Sequence, residues 1–175
     1  MRNVEVTSYN EAWPAMFEKE ADSLRKIFGE VVPAIHHIGS TAVPGLHAKP
    51  VIDILPVVTD ISVVDTYEEK MAAHGYEAKG ENGIAGRRFF QKGGDDRTHH
   101  VHVFPKGSSE IVRHLAFRDY LRAHKRAREK YGRLKAELAV RFPEDIDAYI
   151  AGKNNVVKEI EKQAMIWYRT KAGRR

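Results

Sequence analysis

The chain of 175 residues contains no cysteine. That absence excludes thiol nucleophiles, Cys-ligated zinc and disulfide frameworks, and it fits a reducing compartment. Long apolar runs are missing too; none approaches the ~20 residues a membrane helix needs. The opening stretch, MRNVEVTSYNEAW, lacks the apolar centre of a signal peptide. The expectation is a soluble, cytoplasmic protein with no membrane partner. There is no internal repeat, low-complexity tract or clear linker, so residues 1–175 are expected to form a single domain. Two common catalytic signatures are absent as well. GSTAVPGLHAK has neither the spacing nor the final Lys-Ser/Thr of a phosphate-binding P-loop, and no Gly-x-Ser-x-Gly elbow is present.

What is abundant is positive charge, a formal net of +5. Lys125, Arg126, Arg128, Lys130, Arg133 and Lys135 fall on one expected helix, and Arg169, Lys171, Arg174 and Arg175 form the tail. A solvated helix face and a frayed terminus account for most of that excess. Aromatic residues do not interleave with these basic ones as on a single-strand binding platform, so nucleic acid is the weaker choice of partner.

Hydrophobic spacing supplies the elements. Trp13, Phe17, Leu24 and Phe28 predict a helix over about 10–28, with Trp13 in the core. Val31 to Ile38 leads into a strand that ends at Gly39-Ser40. Val51 to Val58 is almost continuously apolar and predicts a central strand whose pairing stops near Leu55, ahead of Pro56. A helix is expected over 61–74, a short strand over 76–79, and an antiparallel hairpin of RRFFQK (87–92) with THHVHVF (98–104). Helices are then expected over 111–123, 125–142, 144–151 and 154–168. This order implies an α+β fold, a mixed or antiparallel sheet flanked by helices with a helical C-terminal third.

Asp53 is the one acid inside the apolar run 51–58, and a buried carboxylate is costly unless a metal, a proton or a basic partner compensates it. His100 and His102 alternate along their strand and so project to one face, with His99 on the other. If that strand lies beside the one bearing Asp53, one carboxylate and two imidazoles converge. Such a set suits a divalent metal. Spacing alone serves equally well for two histidines that merely hydrogen-bond Asp53. Gly39 and Ser40 can offer backbone N–H groups and a hydroxyl to a phosphate, or simply cap a helical turn. Lys49, Arg87, Arg88, Arg97 and Arg118 are candidate ligands for anionic oxygens.

The segments HHIGSTAVPGLHAKPVIDIL, GYEAKGENG, RRFFQK, RTHHVHVF, HLAFRDYLRAHKRAREKYGRLKAELA and YIAGKNNVVKEI together resemble the GrpB-like family. That family is assigned to the nucleotidyltransferase (DNA polymerase β-like) superfamily, and the likeness runs nearly end to end. It implies a small mixed sheet flanked by helices. It also implies a Gly-Ser turn gripping phosphate, here Gly39 and Ser40, and paired acids on the next strand holding Mg²⁺ for nucleotidyl or phosphoryl transfer. Asp53 matches one acid. Val51 and Leu55 stand where its partner would be, and His100 and His102 where a third acid is sought. The resemblance thus implies catalytic roles for Asp53 and Ser40, and a divalent metal (Mg, Mn or Zn) on Asp53, His100 and His102. One acid with two histidines suits a softer metal than Mg²⁺. The partner implied is a small-molecule nucleotide or other phosphorylated ligand. The alternative is a non-catalytic module binding a nucleotide or a CoA-like ligand on the same fold.

Overall fold

A computed structural model describes residues 2–172. They gather into two compact units, each discontinuous in sequence: residues 2–11, 39–50 and 112–172 form one, and residues 12–38 and 51–111 the other.

The second of these units carries the sheet. Its strands are β1 (Ala34–Ile38), β2 (Ile52–Val58), β3 (Tyr76–Ala78), β4 (Arg88–Lys92) and β5 (His99–Pro105), in the spatial order β1-β2-β5-β4-β3. β2 runs parallel to β5 and every other pairing is antiparallel, so the sheet is mixed. The predicted hairpin is the β4–β5 pair. On one face Ile52, Ile54, Val101, Val103 and Phe90 are buried. Helix α1 (Trp13–Phe28) packs on β1 and β2, and α2 (Glu68–Ala73) lies beside β3. Trp13, Leu24 and Phe28 are buried, as their spacing predicts.

A polar tie joins α1 to the far edge of this sheet. Glu20 is buried on α1. Its carboxylate accepts from the Tyr76 hydroxyl at 2.7 Å and from Lys92 Nζ at 2.8 Å. Burial would push this carboxyl up; the bonds from Lys92 and Tyr76 outweigh it and hold the group below its usual range.

The helix expected over 61–74 is a 3-10 stretch, Ile61–Tyr67, that continues into the short α2. One expectation for this unit is corrected. Pairing of β2 does not stop near Leu55 but runs to Val58. Pro56 pairs with Ile35 of β1, while the ladder to β5 skips Leu55 and Pro56 and resumes at Val57. The N–H that proline lacks therefore falls at an interruption of the parallel ladder, which is how a central strand tolerates it.

The other unit is helical. It contains α3 (Ser109–Ala123) from Val112 onward, α4 (Lys125–Arg141) and α5 (Ile146–Ala172). Val43, Leu46, Leu121, Tyr131 and Ile160 share one core cluster; Val4, Leu138 and Tyr149 share another. The two separate helices expected over 144–151 and 154–168 are one helix of 27 residues. Gly152, which reads as a break, sits inside it because α4 comes close there: a Cβ at this position would meet Leu138 Cδ2 at 2.5 Å. Arg169 and Lys171 belong to this helix and not to a frayed tail; Arg174 and Arg175 lie outside the described residues. No helix among the described residues is long and apolar enough to cross a membrane.

Candidate functional site

Alternation along β5 turns Val101 and Val103 into the core and His100 and His102 to the opposite face. Asp53 emerges on that same face from between the buried Ile52 and Ile54, in register with His100 across the parallel pairing. The sheet thus brings together the three residues the sequence singles out. His102 Nε2 lies 3.0 Å and His100 Nδ1 3.4 Å from the same Asp53 oxygen, Oδ1. Phe89, paired with His102 on β4, packs beside both imidazoles with ring centroids 5.2 and 5.4 Å away.

Burial alone would push the Asp53 carboxyl up. Its contacts with His100 and His102 outweigh that and hold it well below the usual carboxylate range. Asp53 is therefore ionised, and two ring nitrogens face it.

The donor set fits a divalent cation. One potential ligand atom from each residue lies within 4.8 Å of the others. Metal–ligand bonds of about 2.0–2.1 Å at a tetrahedral angle separate donor atoms by about 3.3 Å, close to the 3.0 and 3.4 Å observed. Two imidazoles and one carboxylate are the ligand types of zinc, manganese or iron more than of magnesium. A second acid does not stand beside Asp53: Val51, just before β2, and Leu55 on it are buried apolar residues.

Of the candidate anion ligands, two belong to this cluster. Arg87 Nη1 lies 3.3 Å from His102 Nδ1, and Arg97 Nη1 lies 3.1 Å from His100 Nε2. Arg88, one residue on, has the opposite orientation on β4 and makes a two-pronged pair with Asp65 at 2.7 and 3.3 Å; it does not join the histidines. In the helical unit Arg118 donates to Asp119 at 2.9 Å, and Lys49 Nζ sits 5.3 Å from the centre of the Tyr149 ring.

The Gly-Ser turn belongs to the helical unit. Gly39 has φ 73° and ψ −172°, a conformation that favours glycine, and Ser40–Ala42 form a single 3-10 turn. Arg122 Nε donates to the Ala42 carbonyl at 2.8 Å and so pins this turn to α3. Ser40 Oγ accepts from Lys135 Nζ at 2.7 Å. Lys135, expected on a solvated helix face, is only 2% exposed, and its ammonium stands 4.6 Å from the centre of the Tyr131 ring. Basic neighbours surround it in sequence and mask it. The signal was nevertheless present: Tyr131, Lys135 and Leu138 recur at four and three residues, the spacing of one buried helix face. A hydroxyl accepting from Lys135 keeps its own proton to donate, so the pair offers an anionic oxygen both a hydroxyl and an ammonium.

A family model described as GrpB protein matches residues 3–163. The UPF0157 protein YqkA of Bacillus subtilis (strain 168) is 51% identical over 166 residues, which make up 95% of this chain and 48% of that protein. The chain thus spans about half the length of that relative. The crystal structure of conserved protein GrpB from Enterococcus faecalis superposes with a TM-score of 0.91 at 45% identity, covering 94% of this chain and 99% of that one. A structure of the Cid1 poly(U) polymerase with MgGTP bound superposes with a TM-score of 0.52 at 16% identity, over 75% of this chain and 43% of that one. This last likeness shows a shared fold and nothing of shared chemistry.

Proposed function

The chain belongs to the GrpB protein family, and from that premise we propose that it is a metal-dependent nucleotidyl- or phosphoryl-transferase acting on a small phosphorylated molecule. The observation that carries the reading is the convergence of Asp53, His100 and His102 on one face of the sheet. In this reading these three residues hold the cation, through the Asp53 carboxylate and the ring nitrogens that face it. A cation bound there would supply Lewis-acid polarisation of a phosphoryl oxygen. Arg97 donates to the non-bridging oxygens of the same group, where a planar guanidinium matches two oxygens at once, while Arg87 stays on His102 and the loop carbonyls it already holds. Taken by itself, the helical unit offers an anionic oxygen the Ser40 hydroxyl and the Lys135 ammonium. Phe89 keeps the two imidazoles in place by packing against their rings.

Thermal-shift screening of nucleoside triphosphates and CoA compounds, with and without Mn²⁺, Zn²⁺ or Mg²⁺, tests the proposal. Stabilisation that requires both ligand and metal, and that is lost in Asp53→Ala with the fold retained by circular dichroism, is the expected result. Stabilisation by a ligand without metal or turnover would make the protein a non-catalytic binding module. No stabilisation by any pairing would sink both readings.

A further inference from the structure

A guanidinium carries five N–H donors and no acceptor. The ring nitrogens that face the two arginines, Nε2 of His100 and Nδ1 of His102, must therefore be the acceptors of those contacts. In the neutral form of each ring the N–H then sits on the other nitrogen: Nδ1 in His100 and Nε2 in His102. Those are the two atoms that face Asp53 Oδ1. The polarity runs consistently from arginine through imidazole to carboxylate, with a donor meeting an acceptor at every step.

Coordination of a cation reverses this. It uses the lone pairs of the inner nitrogens, so each ring must carry its N–H on the outer one. A metal-ligating histidine ordinarily gives that outer N–H to a carboxylate, a carbonyl or water. Here it would point at a guanidinium N–H, donor against donor. Each arginine has further acceptors, and the two differ in how far they are buried. Arg87 is buried and donates to the Glu81 and Asn82 carbonyls at 3.1 and 2.8 Å. Arg97 donates to Gln91 Oε1 at 2.7 Å and to the Gly94 carbonyl within the hairpin turn at 2.8 Å, and its side chain is partly exposed.

We propose that Arg97, seconded by Arg87, opposes cation binding at Asp53, His100 and His102, and that an anionic oxygen ligand of the phosphate class relieves the opposition by drawing the Arg97 guanidinium off His100. Metal and anion then bind cooperatively, each making room for the other. This inference rests on the metal reading of those three residues.

The test compares Arg97→Gln, whose amide oxygen can accept the outer N–H of His100, with Arg97→Lys, which like arginine can only donate. Zn²⁺ affinity is read by calorimetry, Co²⁺ affinity by its visible absorption, and the histidine tautomers of the metal-free protein by ¹⁵N NMR. Arg97→Gln is expected to bind metal about tenfold tighter than the unmodified chain, the usual weight of an outer partner of a ligating histidine, and Arg97→Lys to match the unmodified chain. Sulfate is expected to tighten Co²⁺ binding to the unmodified chain and to leave Arg97→Gln unchanged. His100 should carry its proton on Nδ1 before metal is added. Equal affinity of the unmodified chain and Arg97→Gln, or a metal-free His100 protonated on Nε2, would overturn the inference and leave the metal reading standing. If neither the unmodified chain nor the variants bind Zn²⁺ or Co²⁺, with or without sulfate, the metal reading itself fails and takes the inference with it.

Discussion

Lys135 and Ser40 illustrate how unevenly two partners in one hydrogen bond can matter. The lysine is buried with its stem in a helix face shared with Tyr131 and Leu138, while the hydroxyl that accepts from it needs little from the lysine in return. Ser40→Ala removes an acceptor from a buried ammonium and is expected to cost about 1–3 kcal/mol in urea denaturation. Lys135→Met keeps the length and apolar bulk of the stem and removes the charge together with its need for a partner. It is expected to cost distinctly less than Ser40→Ala, because it removes the desolvation penalty of the buried ammonium, whereas Ser40→Ala keeps that penalty and takes away one of the ammonium's acceptors. The reverse order of costs would show that the ammonium does more for the fold than the hydroxyl does for it. At this scale the sequence was legible where one residue breaks a pattern, as Asp53 does within its apolar run. It was not legible for Lys135, where one buried lysine stands among many exposed ones and only its spacing from Tyr131 and Leu138 sets it apart. Arg88 shows the same limit from the other side: nothing in the pair Arg87-Arg88 says which one turns toward the histidines, since that depends on where β4 begins and which face Arg88 presents on it.

At the scale of elements, the contact of α4 with α5 turns on the missing side chain of Gly152. A methyl there would press on Leu138 at its Cγ and both Cδ atoms. Gly152→Ala gains helix propensity of about 1 kcal/mol, yet overpacking of a filled contact costs about 1–3 kcal/mol, so the net expectation is a lower melting temperature. The same substitution in a Leu138→Ala background should be neutral or stabilising relative to that background, which a double-mutant cycle reads directly. The continuity of α5 was hidden because glycine followed by polar Lys153, Asn154 and Asn155 reads as a boundary, and only the approach of α4 explains its place inside a helix. Pro56 was misread for a related reason: a one-dimensional pattern does not reveal which ladder of a strand has room for a missing donor.

At the scale of the whole molecule, Glu20 connects acid stability to the way the sheet unit is fastened. Its carboxyl is lowered from an ordinary value of 4.5. A depressed carboxylate contributes stability that is complete above the unfolded value and is lost as pH falls through the folded one. The stability gap between the unmodified chain and Glu20→Gln, followed by denaturant titration, is therefore expected to be present above about pH 4.5 and to close as pH falls below it. The α+β class, the β4–β5 hairpin and the shared face of His100 and His102 were all readable because period-two alternation is stated in the residues themselves. That alternation also bears on how the chain avoids error. Were β5 to slip by one residue against its neighbours, His99 and Val101 would come to the face of Asp53, and His100 and His102 would be driven in against α1. Such a misaligned sheet would strand a carboxylate beside a valine and press two imidazoles into an apolar core. The cluster around Asp53 thus acts as a proofreading mark for strand register, penalising a wrong alignment twice, whatever it binds.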